Sequence, residues 1–172
     1  MFYVQTLICK PNKIITDLSD LPNKIDTYFI PIDHFYELRK VKNDLDFNYI
    51  NGAIQFKYGD QYLLDVIHWD LVDQLWAYLL NVMEEVLNKG EGETYFPDQP
   101  LKLHMKTIST DLMLFHIETQ NKIVLPKQAC FSTLLTRALA FFKSMDKVYD
   151  YQCHYELNKI KDLKNKIGGS NV

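Results

Sequence analysis

The sequence predicts an α+β fold, with an antiparallel sheet (a meander plus a hairpin) and two or three helices packed on one of its faces. Three observations carry that expectation. Segments rich in Val, Ile, Tyr and Phe surround the turn dipeptides Asn51-Gly52 and Gly59-Asp60. Leu101, Leu103 and Met105 alternate with Lys102, His104 and Lys106, as in a strand with one buried face. Two further segments, near 70–88 and 126–145, repeat apolar residues at three- and four-residue steps, the period of a helix lying on a core.

Residues 2–9 read as a first strand, which Pro11-Asn12 stops. Between Pro22 and Pro31, Lys24–Ile30 reads as a short edge strand. Asp33–Lys40 reads as one or two helical turns with Asp33 as the N-cap. Asn51-Gly52 suits a type I′ turn, because both central residues of that turn need positive φ. A hairpin there pairs Phe47 with Phe56 and Tyr49 with Ile54. Phe47, Tyr49, Ile54, Phe56 and Tyr58 then share one face. Gly59-Asp60 turns the chain into a third strand over Gln61–Val66.

Asp70 is expected to cap a long helix, with Asp73 adding negative charge to its first turn. The apolar stripe is Val72, Trp76, Leu79, Leu80, Met83 and Leu87, and Lys89-Gly90 ends it. Glu91–Pro100 reads as a loop. Two strands, Leu101–Ile108 and Asp111–Glu118, precede a brief one at Ile123–Leu125. Pro126 opens a second helix with a stripe of Phe131, Leu134, Leu135, Ala138, Phe142 and Met145. Residues 146–167 form a C-terminal helix that packs on the body or mediates association. Gly168-Gly169 ends it and Ser170-Asn171-Val172 should fray. The 172 residues suit a single domain, long enough to bury a core without a disulfide or metal.

Net charge is −3, but it is unevenly distributed: residues 1–120 carry −8 and residues 121–172 carry +5. Only Arg39 and Arg137 are arginines, the residue best suited to phosphate and guanine, so a nucleic-acid partner is not expected. An acidic body attracts a basic protein partner and speeds its association. Cys9, Cys130 and Cys153 form no C-x-x-C and are odd in number, which points to a reducing compartment and buried thiols. The N-terminal apolar stretch is too short to span a bilayer, and neither export nor a membrane partner is expected.

His34, His68, His104, His116 and His154 are the acid–base and metal candidates. A two-residue loop at Ser109-Thr110 would pair 104 with 115, so His104 and His116 would point to opposite faces. No metal or cofactor site is expected. His68 near Asp65, Asp70 and Asp73 is the one cluster that resembles an oriented general base, with a raised histidine pKa. The competing reading gives Asp70 and Asp73 to the helix start. No Walker-type loop, G-x-S-x-G or G-x-G-x-x-G occurs. Tyr149, Tyr151 and Tyr155 form an aromatic cluster beside lysines, read either as an interface or as a seal for the last helix.

Three segments, Phe47–Tyr58 with its Asn-Gly dipeptide, Trp69–Trp76 and Tyr95–Pro100, together resemble small bacterial α+β immunity proteins of polymorphic toxin systems, over about residues 45–145. The resemblance carries no catalytic motif. It implies a cytoplasmic, non-catalytic inhibitor of one toxin domain.

The expected function is therefore protein binding: neutralising a basic toxin domain by steric and electrostatic occlusion. Asp65, Asp70, Asp73, Glu84, Glu85, Glu91 and Glu93 are the first candidates for contact, followed by Tyr149, Tyr151 and Tyr155. One alternative is a small enzyme using His68 with Asp65 or Asp70. The other is a structural protein that self-associates through its C-terminal helix. The oligomeric expectation is a monomer or weak homodimer.

Overall fold

The computed structural model describes residues 1–169; the expected fraying of Ser170-Asn171-Val172 lies outside the described residues. The order is β1 (Phe2–Cys9), α1 (Ile25–Tyr28), β2 (Phe29–Pro31), α2 (Phe35–Lys40), β3 (Asn51–Tyr58), β4 (Gln61–Leu64), β5 (Asp70–Leu71) and α3 (Val72–Lys89). There follow β6 (Glu91–Tyr95), β7 (Lys102–Thr107), β8 (Leu112–Ile117), β9 (Ile123–Pro126), α4 (Lys127–Tyr149) and α5 (His154–Gly168). The fold class is α+β with antiparallel strands, divided between two sheets. The first runs β2-β1-β3-β4, with β5 also on β3. The second is a meander, β6-β7-β8-β9.

Period-two alternation decides which side of the first sheet is buried. Val4 and Ile8 of β1, with Ile54 and Phe56 of β3, face the main core. Leu7 and Ala53, one residue out of phase, face a smaller cluster with Leu21, Phe29 and Val66 on the back of the sheet. In the second sheet Leu103, Met105, Met113, Phe115 and Leu125 point into the main core, and Phe115 meets Phe56 edge to face at 5.7 Å. Helices α3 and α4 complete it. Trp76 is fully buried, stacks near Phe141 and donates its indole N–H to Thr6 Oγ1 at 3.1 Å.

Several expectations need correction. Asn51-Gly52 makes no turn: both residues lie within β3, where Gly52 pairs with Ile8 on one side and Asp70 on the other. Gly52 is there for space, because a Cβ would come within 2.8 Å of Val72 Cγ1 and would also strike the Leu7 carbonyl. Phe47 and Tyr49 therefore sit in the loop before β3 rather than on a hairpin. Glu91–Tyr95 is a strand, not a loop. Gly92 lets it lie directly against α3, since a Cβ would come within 2.7 Å of the Val82 carbonyl. Lys24–Ile30 holds the single turn α1 before β2, and α2 begins after His34 with no side-chain cap. The last helix starts at His154, because α4 continues through Asp146 to Tyr149.

The apolar stripe of α5 is used within the chain. Cys153, Ile160, Leu163 and Ile167 are buried. Glu84 of α3 holds α5 in place through Lys159 at 2.8 Å and Lys166 at 3.7 Å. The Lys159 hydrogen bond holds the Glu84 carboxyl below its usual range. No helix among the described residues is long and apolar enough to cross a membrane.

The buried thiols and phenols set an alkaline limit. Burial pushes Cys9 and Cys153 up to about 12 from 9.0, and Tyr149 up to about 12 from 10.0; the Cys130 thiol is raised by the same cause. These groups lose protons more readily in the unfolded chain. Above about pH 9 the folded state binds more protons, so stability is fully present below that pH and falls as pH approaches about 12. The expected result is a urea midpoint that declines steadily above about pH 9. A midpoint flat to about pH 11 would contradict the assignment.

Candidate functional site

The expected contact residues do not converge on one surface. Asp65 begins a 3-10 turn, Val66–His68, and its Oδ1 accepts from the Val66 N–H at 2.7 Å and from Gln55 Nε2 at 3.2 Å. His68 answers by accepting the Asp65 N–H on Nδ1 at 3.1 Å, and its Nε2 lies 3.3 Å from the Gln120 amide. Burial lowers the His68 pKa and outweighs the opposing pull of Asp65. The expected raised pKa is thus reversed: the ring is a neutral hydrogen-bond partner of its own turn.

Asp70 is not the cap of α3, which starts two residues later with Leu71 at the N-cap position. Its Oδ1 accepts from Leu71 N–H at 2.6 Å and Asp98 N–H at 3.0 Å, tying the proline loop to β5. Burial raises its carboxyl pKa against those hydrogen bonds. Asp73 does lie in the first turn of α3, but it is buried and accepts the Tyr151 hydroxyl on Oδ2 at 2.7 Å.

The remaining carboxylates are paired. Glu85 meets Lys89 at 3.6 Å. Glu91 meets His104 at 2.7 Å and Lys106 at 3.1 Å, and Glu93 meets Lys102 at 2.7 Å, all across the outer face of the second sheet. Tyr149 is core, with its hydroxyl on the Leu38 carbonyl at 3.2 Å; Tyr151 is half-buried and Tyr155 exposed. His104 and His116 pair directly and share a face, because three residues, 109–111, rather than two separate Ile108 from Leu112, which faces it. Among the described residues no three His, Cys, Asp or Glu side chains converge as metal ligands.

A different site emerges where β1 ends and β3 begins. The chain leaves β1 through Pro11 and runs as an irregular segment along the sheet end, opposite the loop that precedes β3. Between them lies a depression of about 350 Å³, and a second of about 380 Å³, closed by Ile67, Asp98 and Gln99, adjoins it through Ile15, Asn51 and Trp69. Trp69 is half-buried against the smaller core cluster. Around it, Ile14, Leu18, Tyr49 and Ile67 are 82%, 51%, 63% and 40% exposed, a concentration of large apolar side chains that the core leaves uncovered. Asp44, Asp46 and Asp98 line the same groove, exposed and without an ion pair among the described residues. An apolar centre with a polar rim is the usual anatomy of a protein-docking site.

Sequence reasoning missed this groove. Its residues lie in four separate loops with no period. Trp69 looks like a helix residue because it stands seven positions before Trp76, yet it precedes α3. The available signal is Ile14, Ile15 and Leu18 in a polar segment that no predicted element claims.

Fold and groove together describe an α+β domain with a candidate docking site at one end of its first sheet. No family model, curated protein or solved structure matches the chain.

Proposed function

We propose that this protein is a non-catalytic, cytoplasmic protein-binding domain, acting as an immunity protein that neutralises a toxin partner by occluding its basic cleft. The observation that carries this reading is the Trp69 groove, with exposed apolar side chains at its centre and, on its rim, the carboxylates of Asp44, Asp46 and Asp98, which form no ion pair among the described residues. Tryptophan and tyrosine in a partly desolvated setting are the residues that dominate binding energy, while charges on a rim steer a partner of complementary charge. The contact surface is accordingly moved from the paired glutamates of the second sheet to the loops around Trp69.

The test is co-expression with the product of the adjacent gene. The intact protein is expected to capture that product and restore growth. Trp69→Ala is expected to weaken capture by about 2 kcal/mol, roughly 30-fold, without loss of fold. No capture together with no protection would sink the reading.

A further inference from the structure

The groove continues past the two depressions already described. A third, of about 460 Å³, adjoins the 350 Å³ depression through Lys10, Pro11 and Lys13 and runs on toward α2. Its lining is basic where the far end is acidic. Lys10, Lys13 and Lys40 stand there with one carboxylate, Glu37, which faces His34 Nδ1 at 3.5 Å. Lys10 Nζ donates to the Asp26 carbonyl at 2.6 Å, and Lys40 Nζ lies 4.1 Å from the centre of the Tyr36 ring, so both are positioned without an ion pair among the described residues. Ile30 and Val41 floor this end. Lys10 and Lys13 also line the middle depression together with Asp44 and Asp46, so charge is balanced there, and the sign reverses at the far depression, which carries Asp98 and no lysine.

We propose that this groove binds a linear segment of a partner protein with acidic side chains at one end, Lys or Arg at the other, and an apolar side chain between them seated on Trp69. The proposal rests on the protein-binding reading above and specifies the chemistry of the segment bound. Two charge centres of opposite sign on one continuous groove fix register as well as attraction. A uniformly basic segment would gain at Asp44 and Asp98 but be repelled by Lys10, Lys13 and Lys40. A uniformly acidic one, or a nucleic-acid strand, would meet the reverse penalty. An apolar segment would cover Trp69 and leave both ends unpaired. Only a charge-segregated segment satisfies the whole length.

The test uses two synthetic peptides of one composition, titrated into the full-length protein at low salt. One has its acidic residues at one end, a central Leu-Phe pair and its lysines at the other end. The second has the same residues with the charges alternating. Trp69 emission reports binding, because Trp76 is fully buried and gives a constant background. The segregated peptide is expected to shift the emission and bind about tenfold more tightly than the alternating one. The double variant Asp44→Lys with Asp98→Lys is expected to abolish that preference while leaving the urea midpoint unchanged. Equal binding of the two peptides, or no emission change with either, would overturn the proposal. So would a dimer in sedimentation that Trp69→Ala dissociates, since the groove would then hold a second copy of the chain. If the double variant still captures the adjacent gene's product as the intact protein does, the charge assignment fails while the protein-binding reading stands. If the intact protein captures nothing, it is that broader reading that fails.

Discussion

Gly52→Ala is expected to cost about 3 kcal/mol or more, a large share of the roughly 5–15 kcal/mol that keeps a domain folded. Gly52 lies inside β3 with strands on both sides, opposite Ile8 and Asp70. An added Cβ would strike the Leu7 carbonyl and come within 2.8 Å of Val72 Cγ1. Neither neighbour yields readily. The Leu7 backbone is held in the sheet, and Val72 is a stiff β-branched residue at the first position of α3. The cost is therefore one of volume, not of backbone conformation. Gly59 supplies the contrast. It has φ +59 and open space around the position of a Cβ, so Gly59→Ala brings only conformational strain, about 1 kcal/mol. Urea unfolding of the two variants separates the mechanisms. A smaller loss for Gly52→Ala than for Gly59→Ala would refute the close-packing account.

That pair of glycines shows how far local sequence signals reach. Gly59-Asp60 and Lys89-Gly90 do what their chemistry suggests, and Gly59 and Gly90 both adopt positive φ. Asn51-Gly52 presents the same dipeptide chemistry, but tertiary packing uses its missing side chain instead of its missing steric limit. Helical stripes were legible because burial of α3 and α4 follows a single period. Strand β6 was not. Its outward residues are Glu91, Glu93 and Tyr95 and its inward ones are Gly92 and Thr94, so contact with α3 leaves no apolar alternation to read. The relation of His104 to His116 turned on one residue of loop length, which flips every side chain of a strand.

The candidate site was less legible for a related reason. Carboxylate-rich positions such as Glu84, Glu91 and Glu93 invite a binding role, but each lies within reach of a lysine brought there by the fold. Asp44, Asp46 and Asp98 look no different in the sequence. What distinguishes them is their place beside Trp69, Tyr49 and Ile15, a proximity created by four loops meeting at one end of a sheet.

Tyr151→Phe is expected to destabilise the protein by about 2 kcal/mol, although it removes a single oxygen. Asp73 is buried, and its Oδ1 has no hydrogen-bond partner among the described residues, so the Tyr151 hydroxyl on Oδ2 is what satisfies the carboxylate's side chain. The phenol has one proton to give. Asp73 lies at 2.7 Å and the Phe47 carbonyl at 3.5 Å, so the proton goes to the carboxylate. Burial, then this hydrogen bond, raises the Tyr151 pKa, so the donor stays protonated further into the alkaline range than a free phenol. The bond also offsets local strain, because Asp150 and Gln152 on either side of Tyr151 have φ 56 and 55 without being glycine. Its effect extends to the groove. Phe47 packs edge-on against Tyr149 at 5.3 Å and beside Tyr151 at 6.2 Å, so these two tyrosines support from behind the loop that carries Asp44, Asp46 and Tyr49. Asp73→Leu alone is expected to leave the phenol without its acceptor. The double variant, with both polar partners gone, should be less destabilised than the sum of the single variants by about 1 kcal/mol or more. Strict additivity in urea unfolding would show that the Tyr151–Asp73 contact does not couple the α4–α5 junction to the start of α3.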